Sequence, residues 1–241
     1  MRYDDRRADA YDSRYADRFA EAEATADFLA GVERPAGPVL ELGVGTGRVA
    51  LPLARRGVDV HGIDASTEMV ERLRSKPGAD QVTVAIGDFG APDLLVEGPF
   101  GLVYVVFNTL FALESQERQV RCFEGVAGLL APGGLFAVEA FAMDLSRLDQ
   151  TLTVASVDSE RARLQATSHD PFTQLVTGQT ITISSSGIEL WPFEFRYATL
   201  PEQDLMARVA GLRLRERWGS WGREPFSAGS ERYVSVYERP A

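Results

Sequence analysis

A glycine turn and an aspartate are spaced as they are in sites that bind a ribose-bearing ligand. Gly43, Gly45 and Gly47 form a Gly-x-Gly-x-Gly turn between the apolar stretch of residues 38–42 and a helical pattern. Such a turn lets a ligand reach the backbone. Asp64 lies about 20 residues further on, at the end of a second apolar stretch, where its carboxylate can accept hydrogen bonds from ribose hydroxyls.

The same region argues against a dinucleotide. Dinucleotide-binding dehydrogenases carry Gly-x-Gly-x-x-Gly, which differs from the spacing here. Glu41 stands just before the turn, and its carboxylate would oppose a pyrophosphate. Asp88 ends a third apolar stretch, at the sheet edge where open α/β folds bind their ligands. A ligand with a ribose and a positive charge, but no phosphate, fits these residues better.

Strand and helix patterns must position these residues, and they alternate as far as Phe141. A helical pattern covers residues 8–31, and a helical pattern also follows the first, second and fourth strands. This alternation predicts an α/β fold: a Rossmann-like, doubly wound, mostly parallel sheet with an N-terminal helix. The first five strands are predicted at residues 38–42, 58–63, 82–86, 102–107 and 135–141, and two more at 213–221 and 233–239, giving seven in all.

The pattern changes after the fifth strand. Polar and apolar positions alternate from about residue 151 to 198, which predicts that residues 142–198 form a small inserted antiparallel sheet that caps the acceptor side of the site. Thr199 and Glu202 then form a predicted capping box at the start of a helix. We found no repeat or linker, so residues 1–241 are predicted to form a single domain.

Composition limits the partners. The 241 residues include 25 Lys and Arg against 35 Asp and Glu, for a net charge of −10. This surface repels phosphate backbones, so we expect no nucleic-acid partner. Lys76 is the single lysine, which we attribute to codon bias, and the single Cys122 cannot form an internal disulfide or a thiolate metal site. We expect no bound metal.

No segment has the pattern of a membrane or export signal. Residues 1–15 are charged and lack an apolar core, and the longest mostly apolar run, residues 102–113, is too short to span a bilayer. We therefore expect a cytoplasmic protein without a membrane partner, present as a monomer or homodimer.

Four motifs in order resemble those of class I S-adenosylmethionine-dependent methyltransferases. They are Glu41-Leu42-Gly43-Val44-Gly45-Thr46-Gly47, Gly62-Ile63-Asp64, Gly87-Asp88-Phe89 and Leu130-Ala131-Pro132-Gly133-Gly134. The resemblance implies S-adenosylmethionine as cofactor and S-adenosylhomocysteine as product. It implies that the glycine turn packs on the methionine part, that Asp64 binds the ribose, and that Asp88, Phe89 and Met69 surround adenine. The full set of expected cofactor-binding residues is Tyr15, Glu41, Gly43, Gly45, Gly47, Asp64, Ala65, Met69, Asp88, Phe89 and Phe107.

Outer features resemble small natural-product N-methyltransferases that act on amino sugars or on peptide N-terminal amines. The features are Tyr11-Asp12-x-x-Tyr15, Asn108 and the small sheet. We therefore expect a small-molecule or peptide substrate, with Tyr11, Tyr15 and Asn108 as catalytic residues. Asn108 interrupts an apolar run at a strand end, where an unpaired polar group is costly, so it is the candidate for the floor of the acceptor pocket.

Several residues have a structural alternative. Tyr11 and Tyr15 share a helical face, so their role could be limited to packing on the core. The role of Glu41 could be limited to binding backbone amides. Asp64 and Asp88 could serve as helix caps. His169 is expected at the solvated surface and Cys122 in the core. Trp191, Phe193, Phe195 and Tyr197 are expected to form the core face of one strand, with the alternate residues Glu194 and Arg196 solvated.

The residues favour methylation of an amine. A neutral amine attacks without a strong base, and the sequence has no evident His–Asp or His–Glu pair, no carboxylate cluster typical of a metal site, and no Asn/Asp-Pro-Pro-Tyr stretch. Two alternatives remain open at this point. One is an O- or C-methyltransferase of a small natural product, and the other is a cofactor-binding pericyclase or regulator that transfers no methyl group.

Overall fold

The computed structural model describes residues 19–143 and 151–241. Residues 8–18 of the predicted first helix, with Tyr11 and Tyr15, lie outside this part. The helices are α1 (Phe19–Gly31), α2 (Ala50–Arg55), α3 (Thr67–Arg74), α4 (Gln116–Leu129) and α5 (Leu200–Val209). The strands are β1 (Val39–Leu42), β2 (Val60–Asp64), β3 (Val82–Ile86), β4 (Phe100–Val105), β5 (Leu130–Phe141), β6 (Leu152–Val157), β7 (Arg161–Asp170), β8 (Leu175–Ser184), β9 (Gly187–Arg196), β10 (Arg213–Trp218) and β11 (Arg232–Glu238).

Seven strands form one sheet in the order β10-β11-β5-β4-β1-β2-β3, which confirms the predicted Rossmann-like fold. Strands β1 to β5 run parallel, and β11 is antiparallel to both β5 and β10. β1 lies between β2 and β4, so the carboxyl ends of these three strands are neighbours. The strand order reverses at β1, and ligands of open α/β sheets bind at such a point.

Two apolar cores cover the two faces of this sheet. Leu40 and Val103 belong to the core under α4 and α5, whereas Val39 and Leu102 belong to the core under α1 and α2. Successive residues of β1 and β4 thus point alternately into these two cores, both of which are buried. This burial on both faces explains why the two strands are so apolar in sequence.

The predicted inserted sheet is confirmed as four antiparallel strands in the order β6-β7-β8-β9. Phe193 and Phe195 pack against the same core that contains Val176 and Tyr197, which confirms three of the four predicted core residues. The fourth, Trp191, is half-buried and belongs to neither apolar core of the described residues. The small sheet therefore shares a core with the large one.

The prediction of a solvated Arg196 is wrong. Arg196 is 4% exposed, and its guanidinium donates hydrogen bonds to Glu202 and Gln119 over 2.6 Å each and to Gln174 over 2.9 Å. The charge is buried because three acceptors from different elements meet it, and a buried charge is tolerated only when it is paired in this way.

Several local features also differ from the predictions: β5 begins at Leu130 and not at residue 135, and β10 ends at Trp218 and not at residue 221. Thr199 makes no side-chain cap bond at α5, so the predicted capping box is wrong; Glu202 turns instead toward Arg196. β4 ends at Val105 and not at residue 107, because Phe107 and Asn108 adopt positive φ angles of 56° and 60°. Among the described residues, no helix is long and apolar enough to cross a membrane.

Candidate active site

The turn after β1 brings bare backbone to the carboxyl edge of the sheet. Gly43, Gly45 and Gly47 have φ angles of 72°, 54° and 78°, in the left-handed region that favours glycine. A Cβ on Gly43 would lie 2.4 Å from Thr109 Cγ2, so no larger residue fits there without movement. Lys76 Nζ donates to the carbonyl of Thr46 over 2.9 Å and ties the turn to the segment after α3.

Asp64 ends β2 beside this turn. Its Oδ2 accepts from the backbone N–H of Gly45 over 2.7 Å, and its Oδ1 accepts from the N–H of Ser66 over 2.8 Å. Burial raises the pKa of Asp64 and outweighs these backbone hydrogen bonds, which lower it. The carboxylate is thus fixed in position while both oxygens keep a lone pair for a further donor.

The segment after β4 forms the opposite wall. Phe107 and Asn108 hold consecutive positive φ angles, a conformation that costs free energy in residues other than glycine and is enriched at functional sites. Glu139 Oε2 accepts from the N–H of Phe107 over 2.8 Å, and Asn108 Oδ1 accepts from the N–H of Phe141 over 2.6 Å. Neighbouring β5 therefore holds this turn in place.

These walls enclose a cavity of about 500 Å³, here called the main cavity. It brings together most of the expected cofactor-binding residues, and it also contains Asn108. The lining residues are Gly43, Gly45, Asp64, Ala65, Ser66, Met69, Phe89, Phe107, Asn108, Thr109, Phe111, Ala112, Phe141, Met143, Glu194 and Phe195. Of the expected site residues that the structure describes, Glu41, Gly47 and Asp88 are not in this lining, and Tyr11 and Tyr15 lie outside the described residues.

Glu41 is buried beneath the turn. It is 2% exposed, and Tyr104 Oη donates a 2.8 Å hydrogen bond to its Oε2. Burial raises the pKa of Glu41 to about 8, although bonds from Tyr104 and the backbone of Ala50 work in the opposite direction. The carboxyl is therefore mostly protonated at neutral pH, and the described geometry matches the structural alternative in which it bonds to a backbone amide.

Asp88 and Phe89 diverge after β3. The Phe89 side chain reaches the main cavity. The carboxylate of Asp88 instead accepts from the N–H of Gly90 over 2.9 Å and forms an ion pair with Arg118 at the surface. In this arrangement Asp88 borders a neighbouring depression and not the main cavity.

Sequence analysis predicts the small sheet as a cap on the acceptor side, but it missed Glu194 and Phe195 as residues of the cavity wall. Glu194 and Phe195 line the main cavity, and the prediction of a solvated Glu194 is wrong because this residue is half-buried there. Period-two alternation assigns Glu194 to the strand face opposite Phe193 and Phe195, but it gives no sign that the strand ends beside the carboxyl edge of the large sheet. The one sequence signal for a role of Glu194 is that an acidic residue stands within an otherwise aromatic strand.

The remaining candidates lie away from the cavity. His169 Nε2 is 3.0 Å from Tyr197 Oη and is half-buried, so the prediction of a solvated histidine is wrong. Cys122 is fully buried in the core, as predicted, and burial raises its pKa to about 12. Within residues 19–143 and 151–241, no group of three His, Cys, Asp or Glu is arranged as metal ligands would be.

A cavity at the strand-order reversal, with a glycine turn and an acidic residue after β2, defines a nucleoside-binding α/β protein. Residues 39–134 match the family model described as a methyltransferase domain. The CcbJ methyltransferase from Streptomyces caelestis is 40% identical, with a TM-score of 0.83 over 92% of this chain and 95% of that chain. The chain belongs to the S-adenosylmethionine-dependent methyltransferases of natural-product type.

Two further relatives have informative names. The cypemycin N-terminal methyltransferase of a Streptomyces species is 29% identical over 83% of this chain and 82% of its own length. CalS10 from Micromonospora echinaspora, an amino pentose methyltransferase involved in calicheamicin biosynthesis and solved with its cofactor, is 21% identical. The two structures align over 95% of this chain and 96% of CalS10 with a TM-score of 0.73, which shows a shared fold.

The main cavity fits S-adenosylmethionine, the cofactor of this family. A Cβ on Gly45 would lie 3.3 Å from Met69 Cε and 4.0 Å from Asp64 Oδ2, so the missing side chain keeps the space between turn, aspartate and methionine open. The volume of about 500 Å³ lies within the range of roughly 300–1,000 Å³ that encloses one ligand of this size.

Proposed function

We propose that the protein transfers a methyl group to an amine of a small molecule or peptide in specialised metabolism. The name of the cypemycin N-terminal methyltransferase supports an amine as acceptor. The observation that carries the proposal is the main cavity itself, which joins the cofactor-side residues to Asn108, Phe195 and Glu194 in one enclosed space.

On the cofactor side, we assign the turn from Gly43 to Gly47 to the methionine part and Asp64 to the ribose hydroxyls. Met69 and Phe89 provide apolar contact for the adenine ring. Contact between Asp88 and adenine would require its carboxylate to leave Arg118, because the two now form an ion pair.

On the acceptor side, we assign residues 142–198 as the cap and Asn108 as the floor. Asn108 Oδ1 is bonded to the backbone of Phe141, whereas its Nδ2 has no hydrogen-bond partner among the described residues. This N–H group is free to orient a polar atom of the acceptor. Phe141 and Phe195 supply apolar walls on this side of the cavity.

Methyl transfer from a sulfonium requires little chemical assistance from the protein. When bound, S-adenosylmethionine supplies a methyl group on a sulfonium sulfur, which is already an activated electrophile. The residues of the main cavity hold the acceptor amine close to that position and exclude water. Among the described residues that line the cavity there is no histidine, Asp64 is engaged by two backbone amides, and Glu194 is the other carboxylate. Proximity and desolvation of a neutral amine are the means of catalysis that fit this lining.

Calorimetry with S-adenosylmethionine and S-adenosylhomocysteine tests the cofactor side. We expect micromolar affinities, and Asp64→Ala should lose roughly 1–3 kcal/mol of binding free energy because ribose hydroxyls lose their acceptor. Asp59→Asn is the matched control, since Asp59 precedes the other end of β2 and is 70% exposed. Folded protein that binds neither ligand would contradict the assignment.

Transfer of a radiolabelled methyl group to a panel of amines, phenols and thiols tests the acceptor. We expect labelled amines, and Asn108→Ala should lower turnover far more than cofactor affinity. Label on oxygen or sulfur alone would refute the choice of amine. We further propose that the protein acts in the cytoplasm as a monomer or homodimer. Because its net charge of −10 repels phosphate backbones, we also propose that it acts without nucleic acid.

A further inference from the structure

Glu194 borders two cavities. A second cavity of about 630 Å³ runs over the small sheet and is here called the outer groove. It is lined by Glu114 and by residues 166–168, 177–179 and 192–194. Among the described residues, Glu194 alone lines both the main cavity and the outer groove. A molecule that extends from one to the other must pass this residue.

The strand register places polar side chains beside Glu194. Glu194 is paired with Thr177 on β8, and Thr177 is paired with Ser168 on β7. Directly paired residues point to the same face of a sheet, so the three form a polar row across three strands. Phe193 points the other way: a Cβ on its partner Gly178 would lie 2.6 Å from the phenylalanine Cζ.

No cation of the protein neutralises Glu194 among the described residues. Its carboxylate makes no hydrogen bond or ion pair with any of them, whereas Arg196, two positions further along, is bonded to Glu202, Gln119 and Gln174. A half-buried carboxylate without a partner favours a positively charged or hydrogen-bond-donating ligand.

The size of the main cavity adds a second reason. About 500 Å³ is in the lower half of the range of roughly 300–1,000 Å³ typical of single-ligand pockets. Once the cofactor is accommodated, little room remains beyond the reacting group of the acceptor. The rest of a larger acceptor must lie outside, and the outer groove begins at the same wall.

We propose that Glu194 is a specificity-determining residue that binds the acceptor amine in its ammonium form, and that the outer groove holds the part of the acceptor that is not methylated. The bound ammonium releases a proton to solvent before its neutral nitrogen attacks. This inference rests on the proposed function. The acceptor it selects is a positively charged amine with a polar extension, larger than the reacting group alone.

The test measures binding to protein saturated with S-adenosylhomocysteine, where no turnover occurs. The probes are trialanine amide, the methyl glycoside of an amino sugar, and the N-acetylated form of each. We expect the free amines to bind about tenfold or more tightly than the acetylated forms. Glu194→Gln should remove this preference by weakening binding of the free amines about tenfold. Glu189→Gln, which removes the same charge from an exposed position of β9, should change it less than about twofold.

Each outcome bears on a different part of the proposal. If free amines bind and are methylated but Glu194→Gln behaves as Glu189→Gln does, the inference is overturned and the proposed function stands. If no free amine binds or is methylated, both are overturned. Thr177→Leu should weaken binding of trialanine amide but not of alaninamide; equal effects on the two would overturn the assignment of the outer groove.

Discussion

Arg196 donates from Nη2 to Glu202 Oε1 over 2.6 Å, and this ion pair joins the end of β9 to the first turn of α5. Their side chains are only 5% and 13% exposed. Because Glu194 and Phe195 directly precede Arg196, the ion pair also fixes the part of the small sheet that closes the main cavity.

Loss of one partner of this ion pair should be costly. Glu202→Gln leaves the Arg196 charge buried without its counter-ion, which typically costs roughly 3–5 kcal/mol. We expect a loss of that order in the free energy of unfolding measured with urea. Asp158→Asn breaks the pair with Arg161, whose side chains are 52% and 59% exposed, and should leave the unfolding midpoint unchanged. Similar midpoints for the two variants would contradict a stabilising role of the buried pair.

The close approach at Gly43 gives a second prediction. Gly43→Ala adds a Cβ that would lie 2.4 Å from Thr109 Cγ2, at a φ of 72°. We expect affinity for S-adenosylhomocysteine to fall about tenfold or more, because the turn must move away from the main cavity.

Gly57→Ala is the matched control for Gly43→Ala. Gly57 has a similar φ of 79°, but a Cβ there would meet nothing within 4 Å. This variant should lose about 1 kcal/mol of stability from backbone strain while its affinity for the ligand stays unchanged. Calorimetry measures the affinity for S-adenosylhomocysteine, and urea unfolding measures the stability. Equal affinities of the two variants would refute the prediction.

The raised pKa of Glu41 makes stability depend on pH. Burial raises this pKa from 4.5 to about 8, so between these values the folded protein holds a proton that the unfolded chain has released. Wild-type stability should therefore fall as pH rises from about 4.5 to about 8.

Glu41→Gln should remove this part of the pH dependence. At pH 9 the variant should be more stable than wild type by on the order of a few kcal/mol, since each pKa unit corresponds to about 1.4 kcal/mol, and at pH 5 the two should be nearly equal. Urea unfolding between pH 5 and 9 measures the difference. As a control, Glu33→Gln removes a 95% exposed carboxylate and should not alter how the free energy of unfolding changes with pH. If Glu41→Gln keeps the pH dependence of the wild type, Glu41 is not protonated in the folded protein.

The large sheet and its glycine turn could be predicted because their signals are local. Mostly apolar residues mark β1 and β4, which are buried on both faces, and a Gly-rich run marks a turn with positive φ. The position of Asp64 beside that turn follows from parallel pairing of β1 with β2.

The features that the sequence did not reveal depend on contacts between distant parts of the chain. Arg196 is buried because it meets Gln119, which is 77 positions away, and no local pattern contains that partner. Asp88 is drawn outward by Arg118, 30 positions away. Glu194 reaches the main cavity because the small sheet packs over the carboxyl edge of the large one, a tertiary arrangement that strand periodicity does not encode.

The last prediction separates amine from oxygen acceptors by their pH dependence. Only a neutral amine attacks, so the rate should rise with pH through the acceptor's own pKa, which is near 7.7–8.0 for an ordinary α-amine. His169 is hydrogen-bonded to Tyr197, His61 lies 3.5 Å from Asp59, and neither histidine lines the main cavity. His61→Ala and His169→Ala should therefore retain most turnover.

An oxygen acceptor would depend on a base of the enzyme, and loss of that base should cost roughly 100-fold or more in rate. The measurement is a pH–rate profile of wild type and of the His61→Ala and His169→Ala variants with one confirmed acceptor. A large deficit for His169→Ala without dependence on the acceptor's pKa would overturn the amine assignment. Methyl transfer itself would stand, because the cofactor-side residues of the main cavity are the same for either acceptor.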